Sequence, residues 1–94
     1  MALSQASRES LARAVELLEA GSWQRAHEIV QKEDSTLAAW LHGIVHIQEG
    51  DLRNAEGWYK RAGRPFPGGD AATAEIAAAR RELQAEGVRG AGAA

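Results

Sequence analysis

Cysteine is absent from this chain of 94 residues, and neither sign of charge is in large excess. Without cysteine there are no disulfides and no thiolate metal sites, which is typical of a protein of the reducing cytosol. The formal net charge is −2 and the isoelectric point is near 5.9. A protein that binds nucleic acid regardless of sequence needs a basic face. We therefore expect no nucleic-acid partner.

A long apolar run is missing as well. No stretch of the chain approaches the roughly 20 apolar residues that span a bilayer. Residues 1–5 show no basic segment followed by an apolar one, which is the pattern of a secretory signal. We therefore expect a soluble, cytoplasmic protein with no membrane partner.

The motifs of the common hydrolases are also lacking. There is no cysteine nucleophile and no G-x-S-x-G motif, and the serines stand where helices are expected to begin. Two stretches come close to the H-E-x-x-H helix of zinc proteases. In the first, His27-Glu28 is followed by Gln31 at the position of the second ligand; in the second, Gly43 follows His42 where the general base would stand. We expect no catalytic activity and no cofactor.

Helical periodicity is what the chain does have. Apolar residues recur at three- and four-residue spacing from end to end, and no apolar–polar alternation indicates a strand. Capping and turn residues at the breaks predict five helices, over residues 7–20, 23–31, 35–49, 52–62 and 71–85. The fold class is therefore all-α, with one helical domain over residues 1–87. A glycine- and alanine-rich tail over residues 88–94 is expected to be disordered.

Two of the turns share one construction. The run from Gly21 to Ala26 lines up with the run from Gly50 to Ala55, at an offset of 29 residues. In each run a glycine permits a tight turn, a serine or aspartate caps the next helix, and an alanine allows the two helices to approach closely. Turns this short predict that the flanking helices form antiparallel hairpins.

The second of these units resembles a tetratricopeptide repeat. The matching positions are Gly43, Gly50, Asp51, Ala55, Tyr59, Ala62 and Pro67. Trp40 lies one place later than the family's tryptophan, and His42 and His46 replace a leucine and a tyrosine. The first unit matches only around its turn. The run from Trp40 to Pro65 is also similar to a group of small bacterial proteins, a likeness to which no activity is attached. The resemblance implies two antiparallel helical hairpins of the tetratricopeptide type and a C-terminal capping helix.

Tetratricopeptide arrays bind protein or peptide partners in a concave groove, so the resemblance implies an interaction module, with self-association as an option. In the family register Trp40, Ile44 and Ile47 point toward that groove, whereas the helical periodicity places them in the buried stripe. The two placements are compatible if another helix or a second copy of the chain closes the groove. The candidate binding residues are Trp40, Ile44, Ile47, Trp58 and Tyr59. Helix four and the residues after it also carry a basic edge, which consists of Arg53, Lys60, Arg61 and Arg64. We interpret this edge as solvated surface, and contact with an anion or an acidic peptide is the alternative.

The histidines form a second candidate site. His42 and His46 are spaced i, i+4 on helix three, so that their rings project from one face. That spacing can chelate Zn²⁺, Ni²⁺ or Cu²⁺. His27 on helix two could add a third nitrogen, and Glu49 or Asp51 an oxygen.

The alternative interpretation gives the histidine pair a structural role. In that case the two rings lie between helices three and four, hydrogen-bonded and stacked near Trp58 or Tyr59. The sequence therefore leaves two functions open. The first is a non-enzymatic interaction module, and the second is a small metal- or ligand-binding protein that uses its histidines.

Overall fold

Five α-helices account for most of the chain. The computed structural model describes residues 3–92, and of residues 88–92 only the backbone. The helices are α1 (Gln5–Glu19), α2 (Trp23–Val30), α3 (Thr36–Glu49), α4 (Leu52–Arg61) and α5 (Ala72–Gly92). No strand occurs within residues 3–92, so the prediction of an all-α fold is confirmed.

The ends of α3 show how local chemistry sets the helix bounds. The Ser35 hydroxyl accepts a hydrogen bond from the Ala38 amide at 3.0 Å, which caps the first turn. Gly50 closes the helix with φ of 88°, in the left-handed region that favours glycine. The amide of Asp51 then donates to the carbonyl of His46 at 2.9 Å. Gly21 adopts the same region at the first turn, with φ of 78°, as its position in the repeat predicts.

Two helix starts and one helix cap differ from expectation. Helix α1 begins at Gln5 and not near Ser7, because the hydroxyl of Ser4 accepts from the Ser7 amide at 3.0 Å. Ser22 does stand at the N-cap of α2, but its side chain forms no capping hydrogen bond. Helix α5 begins at Ala72, one residue after the expected start, and Asp70 lies in the preceding turn without capping it.

The C-terminal end of α5 also differs from expectation. The helix continues beyond the end expected at about Ala85 and reaches Gly92. Part of the tail that we predicted to be disordered, residues 88–92, therefore belongs to the helix. Residues 93 and 94 lie outside the described part of the chain.

Each of the first four helices packs against the next one, and α3 lies at the centre. Helix α1 contacts α2, α2 contacts α3, and α3 contacts α4. The alanines expected at the tight contacts, Ala26 and Ala55, are both completely buried. Gly43 on α3 provides the closest approach, since a Cβ atom at this position would stand 2.6 Å from Cδ1 of Tyr59 on α4. A larger side chain at Gly43 would therefore push the two helices apart.

Helix α5 packs against both α1 and α3. One oxygen of Glu75 holds it there by accepting from the Trp40 indole at 3.0 Å and from the Tyr59 hydroxyl at 2.7 Å. Burial raises the pKa of the Tyr59 phenol, and the Glu75 carboxylate raises it further. Nearer the middle of α5, Arg80 forms a two-pronged ion pair with Glu19 at 2.7 and 2.8 Å.

The helices form one folded body. The Cα radius of gyration is 12.4 Å. A globular chain of this length is expected to show about 12 Å. The buried apolar side chains belong to one core cluster, to which α1, α3 and α5 all contribute. Among the described residues no helix has both the length and the apolar character required to cross a bilayer.

Candidate functional site

All three histidines of the chain meet between α2 and α3. His27 comes from α2, and His42 and His46 lie one turn apart on α3. The ring centroids are 4.8 Å apart for His27 and His42, 5.4 Å for His27 and His46, and 5.1 Å for His42 and His46. We call these three residues the histidine cluster. The i, i+4 spacing on α3 and the packing of α2 against α3 bring it together.

Two members of the cluster are deeply buried. His42 is 5% exposed and His46 is 6% exposed, whereas His27 is half-buried. Besides Trp40 and Tyr59, which donate to Glu75, these two are the buried side chains with polar atoms among those that the structure describes. Burying an imidazole removes it from water, and this costs free energy unless its polar atoms find partners. The cluster is therefore the most unusual polar feature of the interior.

His42 is covered by an aromatic ring. Its imidazole lies flat on the indole of Trp58 from α4, with centroids 3.7 Å apart and planes 9° from parallel. The pKa of His42 is lowered to about 4, mainly by burial and to a lesser degree by the positive charges that His27, His46 and Arg61 can carry. His42 is consequently neutral at pH 7, with one ring nitrogen carrying a free lone pair.

His46 is oriented by a carboxylate. Its Nδ1 lies 2.8 Å from Oε1 of Glu49, one turn further along α3. Because a carboxylate only accepts hydrogen bonds, Nδ1 donates and Nε2 of the neutral ring is left with its lone pair. A carboxylate on the far nitrogen is the usual neighbour of a histidine that binds a metal, since it fixes the ring and raises its basicity.

The donor atoms of the cluster are close to the spacing of a metal site. One ring nitrogen from each histidine can be chosen so that the three lie within 4.8 Å of one another. Zinc binds histidine nitrogen at about 2.0–2.1 Å, so three nitrogens of a tetrahedral site stand about 3.3 Å apart. To bind one ion, the three nitrogens would have to approach one another to about that distance. A second set of close donors consists of His46, Glu49 and Asp51, two of them exposed.

A cavity of about 380 Å³ adjoins the cluster at the N-terminal end of α3. His42 and Trp58 form part of its wall, together with the loop between α2 and α3. Its charged lining residues are Glu33, Asp34 and Arg61. The guanidinium of Arg61 lies 4.7 Å from the centre of the Trp58 ring. The cavity thus opens beside one histidine of the cluster.

The predicted partner-binding residues lie mostly in the core. Trp40 is 3% exposed, Ile47 is 5% exposed, and Ile44 and Tyr59 are completely buried. Helix α5 covers Trp40 through Glu75, and Arg64 places its guanidinium 3.4 Å from the centre of the Trp40 ring. The groove implied by the tetratricopeptide resemblance is thus filled by the chain itself. Of the five candidates, only Trp58 presents part of its surface, and it does so beside the cluster.

Several contacts at these sites were not foreseen from the sequence. Glu75 was not singled out, although it joins α3, α4 and α5. Arg61 and Arg64 are exposed, as their interpretation as solvated surface expects, but each also stacks on a tryptophan. The i, i+3 spacing of Trp58 and Arg61 on α4 was a usable signal for one of these pairs. The other pair joins a loop to α3, and no local pattern indicates it.

Comparison of the chain with family models, with curated proteins and with solved structures gave no match. A function can therefore be assigned only from the geometry and chemistry of the chain itself. The resemblance of the second helical pair to a tetratricopeptide repeat stays a prediction.

Proposed function

We propose that this chain binds one divalent transition-metal ion through the histidine cluster. The observation that carries the proposal is the meeting of all three histidines, from two helices, with ring centroids 4.8 to 5.4 Å apart. Three imidazoles bound to one tetrahedral ion have centroids about 5 Å apart, given the metal–nitrogen distance. The rings are thus already grouped as such an ion would group them.

The polar surroundings of the cluster are compatible with metal binding. Within the described residues, only His46 hydrogen-bonds to a protein group through its ring, whereas the rings of His27 and His42 have no such partner. An imidazole in its neutral form carries one lone pair, and no protein donor of the described residues meets a ring nitrogen of His27 or His42. A cation with accepting orbitals satisfies several lone pairs at once. Apolar side chains would fill the same space without the cost of desolvating the histidines.

The donor set indicates which ions suit the site. It consists of three nitrogens with no thiolate, since the chain has no cysteine. Imidazole is a good ligand for Zn²⁺, Ni²⁺ and Cu²⁺, whereas Mg²⁺ and Ca²⁺ prefer oxygen. Three protein ligands leave a fourth position for water or another molecule, as in catalytic zinc sites. We propose an ion of the zinc, nickel or copper group.

We further propose that the scaffold consists of two tetratricopeptide-type hairpins. The left-handed glycines at the two turns, Gly21 and Gly50, and the complete burial of Ala26 and Ala55 support this proposal. The interaction module that this resemblance implies also remains a proposal. A partner on the face of Trp40 and Ile44 would have to displace α5, which occupies that face. No contact of the described residues favours such a partner over the metal site.

The proposal is tested by titrating tag-free protein with Zn²⁺ and Ni²⁺ in a calorimeter. We expect one ion per chain. At a free concentration a hundredfold above the dissociation constant, the ion should stabilise the fold by about 3 kcal/mol. For a chain of this size that corresponds to a rise in Tm of about 10 °C or more.

Variants separate the site from adventitious surface binding. His27→Gln changes the most exposed ligand and should weaken binding at least tenfold without unfolding the protein. Glu28→Gln, the next residue on α2 and exposed, is the matched control and should bind as the wild type does. Absence of binding, or equal binding by the two variants, would refute the proposed metal site.

A further inference from the structure

We infer that α2 opens locally from the rest of the fold in the metal-free chain, and that a bound metal ion holds it in place through His27. The inference rests on the proposed metal site and concerns the helix that supplies the third ligand. Three observations carry it: the distribution of the histidines over two helices, the lack of polar contacts between α2 and other helices, and the burial of His42 and His46.

The ligands are divided unequally between two helices. His42 and His46 lie on α3, which packs against all four other helices. Their separation is set within one helix, whereas the distance of His27 from them depends on the placement of α2. An ion bound by all three residues would therefore connect α2 to the central helix.

Helix α2 has few attachments to the fold, since it packs only against α1 and α3. Side-chain hydrogen bonds join each of the other four helices to a neighbour; they include those of Arg80 to Glu19 and of Trp40 and Tyr59 to Glu75. Among the side chains that the structure describes, none from α2 forms a hydrogen bond or an ion pair with another helix. Apart from the ring contacts of His27, α2 is held against its neighbours by apolar packing.

Helix α4 is a suitable reference for α2, because their lengths are ten and eight residues. The side chain of Asp51 caps α4, whereas Ser22 forms no capping hydrogen bond at α2. Helix α4 completely buries Tyr59, a large side chain, whereas the buried residues of α2 are Ala26 and Val30. Segments with few buried apolar contacts open most readily. We therefore expect α2 to open more readily than α4.

Opening of α2 also uncovers the other two ligands. His42 and His46 are 5% and 6% exposed, and the His27 ring lies against both of theirs, with centroids 4.8 and 5.4 Å away. When α2 moves away, these contacts are lost and the pair on α3 is exposed on that side. The movement that opens α2 thus separates the ligands, and an ion that binds all three opposes it.

The size of the effect follows from linkage. An ion shifts the equilibrium between closed and open α2 by the ratio of its affinities for the two states. The open state keeps His42 and His46 as ligands and loses His27. Since the loss of His27 should weaken metal binding at least tenfold, saturating metal should reduce the local opening of α2 at least tenfold as well.

The experiment is amide hydrogen exchange, measured by NMR on the tag-free full chain without metal and with saturating Zn²⁺. In the metal-free chain we expect the amides of α2 to exchange faster than those of α4. Zn²⁺ should slow the exchange of the α2 amides at least tenfold.

Two variants isolate the contribution of His27. In His27→Gln saturated with Zn²⁺, the α2 amides should keep their metal-free rate, because opening of α2 no longer breaks a bond to the metal. Glu28→Gln, which changes an exposed residue of the same helix, should show the slowing of the wild type. Amides that exchange only through global unfolding slow in both variants, so the α2 amides are the ones to compare.

The outcomes separate this inference from the proposed function. Equal exchange of α2 and α4 in the metal-free chain would overturn the local opening. An α2 rate that Zn²⁺ leaves unchanged, in a sample where calorimetry shows one bound ion, would overturn the inference and leave a metal site. Equal slowing of α2 in His27→Gln and Glu28→Gln would overturn it as well. If calorimetry shows no bound ion, the proposed function fails, and the fixing of α2 fails with it.

Discussion

The imidazole of His42 lies flat on the indole of Trp58, with ring centroids 3.7 Å apart and planes within 9° of parallel. This contact joins α3 to α4 and shields one side of the histidine cluster from water. It also places Trp58 at the wall of the adjoining cavity. Three helices therefore surround the histidine cluster, although its three members come from two of them.

Removal of the indole should change the ionisation of His42. In Trp58→Ala the ring loses its cover, so the desolvation that depresses its pKa decreases and the pKa should rise from about 4 toward its ordinary value of 6.5. Trp58→Phe keeps an aromatic face and should keep most of the depression. The measurement is an NMR titration of the histidine ring signals. A pKa of His42 that stays near 4 in Trp58→Ala would show that the indole does not shield it.

The low pKa of His42 should also make stability depend on pH. In the unfolded chain the ring takes up a proton near pH 6.5, but in the folded chain only near pH 4. Between these values the unfolded state binds more protons, so stability is complete above pH 6.5 and decreases as the pH falls toward 4. The full effect is at most about 3 kcal/mol.

Urea unfolding across this pH interval checks the dependence. His42→Gln has no titrating ring at the position, so its free energy of unfolding should change less with pH than that of the wild type. The quantity to compare is the slope of the free energy of unfolding against pH. The absolute free energy of unfolding is not compared, because the substitution itself lowers it. Equal slopes for the two proteins would assign the pH dependence to other groups.

Local elements of this fold could be predicted from the sequence, because their causes are local. Ser35 and Asp51 cap helices through hydrogen bonds to amides three residues away. Gly21 and Gly50 turn the chain because their backbone reaches the left-handed region without a Cβ clash. The i, i+4 spacing of His42 and His46 was enough to place their rings side by side.

The long-range contacts could not be predicted in this way. Helix α5 packs against α1 and α3 through contacts between segments far apart in the chain. Its alanine-rich sequence pattern would suit many positions in the fold. The meeting of Glu75 with Trp40 and Tyr59 depends on the same placement. His27 was a candidate third ligand, but its distance from the pair on α3 follows only from how α2 packs.

Gly43 provides a test of the packing between α3 and α4. Gly43→Ala would place a methyl group 2.6 to 2.7 Å from the ring of Tyr59, which is completely buried and hydrogen-bonded to Glu75. Because the ring has little room to move, we expect a loss of about 2–3 kcal/mol. Gly57 on α4 is the matched control, since a Cβ there meets nothing within 4 Å. Gly57→Ala should gain about 0.5–1 kcal/mol.

Urea denaturation of both glycine variants gives the required free energies. A lower free energy of unfolding for Gly43→Ala and a higher one for Gly57→Ala would support the close approach of α3 and α4 at Gly43. Similar effects for the two variants would mean that the helices are further apart than the structure shows.

Glu75 provides a test of how α5 is held. Glu75→Ala would leave the Trp40 indole and the Tyr59 hydroxyl without their shared acceptor, which should cost about 2 kcal/mol or more. Glu75→Gln keeps an acceptor oxygen and should cost less. Hydrogen exchange is the measurement, and the amides of α5 should lose protection more in Glu75→Ala than in Glu75→Gln. Unchanged protection in both would indicate that other contacts fix this helix.

The most direct measurement of the central claim is X-ray absorption at the zinc edge, made on tag-free protein loaded with one equivalent of Zn²⁺. The account predicts three imidazole nitrogens at about 2.0–2.1 Å, with one further light ligand. The imidazole contribution should fall to two rings in His27→Gln. A coordination shell of oxygens alone, or one with fewer than three imidazoles in the wild type, would contradict the claim that His27, His42 and His46 bind a common metal ion.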